Sequence, residues 1–194
     1  MKFFTIRHLL LGGFALSIIT LSYAMDRDLA NLADAWMATK RAESIAGVYE
    51  NRCEVASHVG TNYTGLILLL LGDSALKTSE VKSAIKRVKI EQAAKKLSVT
   101  AEDIGGNTVI RRDLEEGRDY QIERREIVIT KKWNANDEWG PGQGTGVTRL
   151  ARSVDGHLLV KSVVLVRGWT FIFPKRNEVT YYFRFTAAQV SANR

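Results

Sequence analysis

Residues 146–185 read "GVTRLARSVDGHLLVKSVVLVRGWTFIFPKRNEVTYYFRF", and their alternation decides the fold class. Near the end, Val179, Tyr181, Phe183 and Phe185 fall on one face of an extended chain, while Thr180, Tyr182, Arg184 and Thr186 fall on the other. A period of two marks a half-buried strand, because successive side chains point to opposite faces. Asp155-Gly156 separates two such runs, and both residue types tolerate the positive φ of a tight hairpin. The stretch therefore predicts four strands, "GVTRLARSV", "HLLVKSVVLVRGW", "TFIFPKR" and "EVTYYFRF", with no helix between them. Strands joined by short turns form an antiparallel meander.

Upstream the same pattern continues. "NTVIRRDL" follows Gly105-Gly106, and "YQIERREIVITKKW" follows "EEGRD". Residues 74–97 carry both periods; the alternation that outlasts Leu97 favours a short helix or loop to Lys86, then strands "RVKIEQ" and "KLSVTAE". "SIAGVYENRCEV" reads as a strand, and "YTGLILLLLG", apolar on both faces, as a central one. Residues 26–42 predict a short N-terminal helix with Leu29, Leu32, Trp36 and Met37 on one stripe, capped by Asp26 or Asp28. The expectation is a mainly β domain of about eight to ten antiparallel strands. An open meander of that length would leave two long edges, so closure into a barrel is expected.

Residues 1–24, "MKFFTIRHLLLGGFALSIITLSYA", have the three parts of a secretory signal. Lys2 and Arg7 form the positive start, Leu9 to Leu21 the apolar run, and Ser22-Tyr23-Ala24 the small-residue cleavage site. The apolar run is shorter than the roughly 20 residues that span a bilayer. Cleavage between Ala24 and Met25 is expected, leaving 25–194 as one β-rich domain in the periplasm or secreted. Met25, and not a cysteine, stands directly after the cleavage point, so a lipoprotein anchor is not expected there. The net charge of +7 falls to +5 when Lys2 and Arg7 leave. That balance fits an anionic envelope component such as phospholipid head groups, and equally fits plain solubility. No nucleic-acid-binding module is present in the sequence. Cys53 is the only cysteine, reads as a small buried hydrophobe, and cannot form an internal disulfide. "NYT" at 62–64 is a glycosylation acceptor only in a cell with that machinery.

The search for chemistry starts at "WNANDEWGPGQGTG", residues 133–146, where four glycines alternate. The segment lacks the Gly-Lys-Ser/Thr ending of a phosphate loop and has strands on both sides. It reads as a mobile strand connection, flanked by Trp133 and Trp139, whose rings would either anchor packing or cover a ligand. His58 and His157 have no partners at metal-ligand spacing, and no nucleophile elbow occurs. No catalytic residue, metal or cofactor is assigned, and an enzyme is disfavoured. Three basic doublets, Arg111-Arg112, Arg124-Arg125 and Lys131-Lys132, each send one charge inward if they lie mid-strand. Inward charges would need partners or an anionic guest; doublets at strand ends would not. Trp169, Tyr181, Phe183 and Phe185 are candidates to line a pocket, or simply to fill the core.

A short helix followed by Gly47-x-Tyr49 on the first strand resembles the opening of lipocalin-like (calycin) barrels, which usually carry Trp where this chain has Tyr49. The resemblance implies a closed antiparallel barrel holding a small apolar or amphipathic guest. The leading expectation is thus an exported, non-enzymatic binding protein of the cell envelope with a lipid-like ligand. One alternative is an interaction or inhibitor protein engaging a partner through Trp133–Gly146. Another is a hydrolase of unrecognised type.

Overall fold

The computed structural model describes residues 31–37, 44–56, 65–72, 76, 78–135, 141–170 and 173–188. The expected signal and its Ala24–Met25 cleavage point, Leu29, His58, the 62–64 acceptor and Trp139 lie outside them. Helix α1 covers residues 31–37, followed by β1 (Gly47–Glu50), β2 (Val55–Ala56), α2 (Leu66–Leu71) and α3 (Ser79–Ala84). Eight strands complete the chain: β3 (Arg87–Ala93), β4 (Lys96–Glu102), β5 (Thr108–Glu115), β6 (Gln121–Glu123), β7 (Glu126–Asn134), β8 (Gly142–Arg152), β9 (Leu158–Thr170) and β10 (Phe173–Phe185). They form two antiparallel sheets, ordered β1-β3-β4-β5 and β2-β10-β9-β8-β7-β6. The mainly β, antiparallel reading of the sequence holds.

Two connections link the sheets. Beyond β10, Thr186 O accepts from Glu50 N at 3.0 Å and Ala188 N donates to Val48 O at 2.8 Å, so the chain pairs with β1. On the other side, the turn from Glu115 to Tyr120 carries β5 into β6. The inner faces of both sheets and the buried side of α2 share one apolar core, with Tyr49, Leu66, Leu97, Leu150, Leu158 and Phe185 fully buried. A smaller cluster sits on the outer face of the six-stranded sheet, where Trp36 of α1 packs on Ala151, Leu159 and Tyr182.

Several local readings change. The run Leu66–Leu71, expected as a central strand, is helix α2. Leu, not branched at Cβ, is a good helix former, and a short run in which every residue is apolar carries no period to distinguish the two states. "YQIERREIVITKKW" is not one strand but the β6–β7 hairpin. Its turn residues Arg124 and Arg125 sit at φ 51° and 65°, with none of the glycine or asparagine that normally marks such a turn. "TFIFPKR" is not a separate strand either. β10 runs unbroken from Phe173 to Phe185 in register with β9, so the reversal falls after Thr170 and not near Asn177. "SIAGVYENRCEV" splits into β1 and β2, which belong to different sheets. On α1, Leu32 and Trp36 are buried four residues apart, whereas Met37, one step further round, is 80% exposed.

The Gly47-x-Tyr49 pair has a physical basis. Tyr49 is fully buried and its hydroxyl donates to Ile45 O at 2.8 Å. A Cβ on Gly47 would lie only 3.0 Å from that hydroxyl, so Gly47 makes room for the folded-back ring. Burial pushes the Tyr49 phenol up to about 12, against the opposing influence of Arg152. Arg152 ties β8 to this corner by donating to Ala46 O at 2.7 Å.

Candidate functional site

The inner face of the six-stranded sheet changes character row by row. Register places Ile127, Leu150, Val160 and Phe183 side by side, all buried. The next row is Ile129, Thr148, Ser162 and Tyr181, where the Thr148 and Ser162 hydroxyls meet at 3.4 Å. Then come Lys131, Gly146, Val164 and Val179, and finally Trp133, Gly144, Val166 and Asn177. The face thus runs from hydrocarbon, through hydroxyls, to a cation and an indole.

Lys131 is the unusual member. Its Nζ donates to Leu69 O at 3.1 Å, one of the last carbonyls of α2, which have no partner within the helix. Gly72 terminates α2 at φ 81°, and a Cβ there would come within 3.3 Å of the Lys131 Nζ. Burial lowers the Lys131 pKa to about 8. The helix carbonyl occupies one of its three N–H donors.

Lys131 lines a cleft of about 400 Å³ between α2, β5 and β7, together with Leu70, Leu71, Leu114, Ile129 and Arg112. Arg112 stands opposite buried Val99 and one step from Leu114, so it lies on the core-directed side of β5, exposed because β5 is an edge strand. The Arg118–Asp119 ion pair, 2.8 Å long, borders the same cleft, and its hydrogen bond holds the Asp119 carboxyl below its usual range. Among the described residues no carboxylate forms an ion pair with Lys131 or Arg112.

The basic doublets therefore divide. Arg111-Arg112 and Lys131-Lys132 lie mid-strand and each turns one cation toward the inner face; Arg124-Arg125 is a turn. The sequence pattern could have brought Arg112 and Lys131 to notice, but not together, because their proximity depends on how the two sheets face each other. Leu70 and Leu71 join the cleft only because their segment is a helix and not a strand.

Of the aromatic candidates, Tyr181, Phe183 and Phe185 are brought together, whereas Trp133 and Trp169 stand apart from them. Phe183 and Phe185 belong to the packed core, and Tyr181 stacks on Phe183 at 6.3 Å. Trp169 is 54% exposed at the far end of β9, paired in register with Pro174. Trp133 is 42% exposed, its ring lying over Gly144 and Gly146. The glycine stretch is corrected by this packing. Gly142 to Gly146 are strand residues of β8 and no mobile connection; the rest of that expected connection, residues 136–140, lies outside the described residues. A Cβ at Gly144 would overlap the indole, and one at Gly142 would sit 2.6 Å from Ala135 O.

His157, next to the Asp155-Gly156 turn, is half-buried, with Nε2 3.8 Å from Asp155. Cys53 is partly buried against the main core. Among the described residues no group of His, Cys, Asp and Glu gathers to hold a metal ion, and no helix is long and apolar enough to cross a membrane. No family model and no curated protein matches the chain.

Proposed function

We propose that the protein is an exported, non-enzymatic binding protein of a cell envelope. In this reading it holds a lipid-like ligand with an anionic head in the cleft between α2, β5 and β7. The observation that carries the proposal is the placement of two inward cations, Lys131 and Arg112, in a cleft walled by Leu70, Leu71, Leu114 and Ile129. A half-buried lysine without a carboxylate is costly, and an anionic guest would relieve that cost. At about 400 Å³ the cleft falls within the roughly 300–1,000 Å³ of small-molecule sites. The hydrogen bonds from Glu50 to Thr186 and from Ala188 to Val48, with the β5–β6 turn opposite, support a lipocalin-like barrel closed around the core. The tripartite pattern of residues 1–24 supports export.

Binding of a fluorescent fatty-acid analogue, with mass spectrometry of whatever co-purifies, tests the reading. Lys131→Gln and Arg112→Gln should each weaken binding about tenfold or more, the worth of a hydrogen bond to a charged group. A wild-type protein that binds no anionic amphiphile, or variants that bind as well as wild type, would sink it. The rival reading, a protein partner engaged through Trp133–Gly146, draws on the exposed edge of the Trp133 ring. It would gain if Trp133→Ala abolished a partner interaction while lipid binding was absent.

A further inference from the structure

We infer that the free end of the β9–β10 hairpin docks on an anionic phospholipid bilayer, its aromatic rings entering the interface and its arginines meeting lipid phosphates. The inference does not depend on the cleft.

The end of this hairpin is apolar on both faces. Trp169 pairs with Pro174 and Phe173 with Thr170, and strand alternation puts Trp169 on the outer face and Phe173 on the inner one. They are 54% and 68% exposed. A surface built for a folded protein partner collects its apolar residues on one side. A tip apolar on both sides fits end-on entry into a medium that surrounds it, and aromatic rings favour the level of the lipid head groups.

Behind the tip the charge is positive. Arg167 stands directly opposite Arg176 on the outer face, and like charges so placed weaken a strand pair. Arg176 reaches Glu178 at 3.2 Å, whereas no described carboxylate forms an ion pair with Arg167. Both guanidinium groups open on a groove of about 820 Å³ that also includes Asn134, Gln143, Trp169 and Lys175. A phosphate there would meet two guanidinium groups and neighbouring amides, and would relieve the repulsion.

Edge protection is the competing account. From Phe173 to Tyr182, β10 has no strand on its far side among the described residues, and Pro174, Lys175 and Arg176 are the residue types that discourage edge-to-edge pairing. That account covers the charges. It does not cover Trp169 and Phe173, which would add an aggregation hazard to the same edge if nothing received them.

Flotation of the full chain with vesicles of phosphatidylcholine alone, or of phosphatidylcholine mixed with phosphatidylglycerol, tests the inference. Binding is expected to the mixed vesicles only and should fade with added salt. Arg167→Gln combined with Arg176→Gln should lower partitioning about thirty-fold at low salt, from the typical worth of two basic residues at an anionic surface. Trp169→Ser combined with Phe173→Ser should also lower it strongly, with an unchanged melting temperature showing that the fold persists. Equal binding to neutral vesicles, no binding, or tip variants that bind like wild type would overturn the inference. Vesicle binding that survives the tip variants but is lost in Lys131→Gln would overturn it too, while leaving the cleft reading intact.

Discussion

In β9 and β10 the residues around Leu158 and Phe185 and those around Val166 and Phe173 belong to the same thirteen-residue strands and follow one alternation. Only the first set is buried. The difference comes from the opposite sheet, whose strands β3, β4 and β5 are seven to eight residues long. At about 3.3 Å a residue, the longer strands overrun them by roughly 17–20 Å. Where the second sheet and α2 cover the inner face, Val160 and Phe183 are core. Beyond it, inward positions become Lys131, Trp133 and glycine, and the outermost aromatic of that face, Phe173, meets solvent. An alternating pattern therefore states which residues share a face. Burial depends on what lies across from that face.

The sharpest way to break this comparison is to truncate one aromatic at each end of β10. Phe183→Ala should cost on the order of 3–5 kcal/mol, the usual penalty for emptying a packed aromatic site. Phe173→Ala should stay within about 0.5 kcal/mol, as at ordinary surface positions. Denaturant unfolding of both variants reads the contrast directly. Comparable losses would mean that the hairpin end is packed.

Gly144→Ala probes the boundary between the two regions. The new methyl group would displace the Trp133 indole from the strand beneath it, an overpacking cost of about 1–3 kcal/mol. The same variant should shift Trp133 emission toward the red. An unchanged spectrum would show that the ring does not rest on β8.

The pH dependence of stability sharpens the account of Lys131, which sits at that boundary. Its folded pKa of about 8 lies below the unfolded value of 10.5, so the unfolded chain binds more protons between them. The penalty for burying the charge is complete below about pH 8, and stability should rise as pH climbs from there. Tyr49, raised to about 12, acts in the opposite sense above its ordinary value of 10.0, so the useful window closes near that pH. Lys131→Met should remove the rise. In the proposed binding reaction the sign reverses: an anionic ligand needs the protonated amine, so affinity should fall as pH passes about 8 in wild type and stay flatter in Lys131→Met.

The smallest effect concerns the far end. Arg167→Thr removes one member of a directly opposed like-charge pair and should stabilise the hairpin by about 0.2–1 kcal/mol, measured by thermal unfolding at low salt. A loss of stability would show that Arg167 is engaged in a favourable contact.

Much of the fold was legible before any coordinates. The β8–β9 turn, the strands from β3 to β5, and the shared face of Tyr181, Phe183 and Phe185 follow from a period of two and from Asp155-Gly156. The β6–β7 turn was not, because Arg124 and Arg125 adopt positive φ without the residues that favour it. Nor was α2, since a run in which every residue is apolar shows neither period, although only Leu66, Ile67 and Leu70 are fully buried.

The candidate site was legible only in pieces. The doublets at Arg111-Arg112 and Lys131-Lys132 announced inward charge by strand alternation alone. Sequence by itself determined the antiparallel, mainly β character and the identity of the residues sharing each face, because these are properties of consecutive residues. Tertiary structure alone decided that Arg112, Lys131, Leu70 and Leu71 border one cleft, that Phe183 is enclosed, and that Phe173 on the same face is left outside. Those outcomes depend on where a short sheet stops against a long one, a distance between segments far apart in the chain that no local pattern encodes.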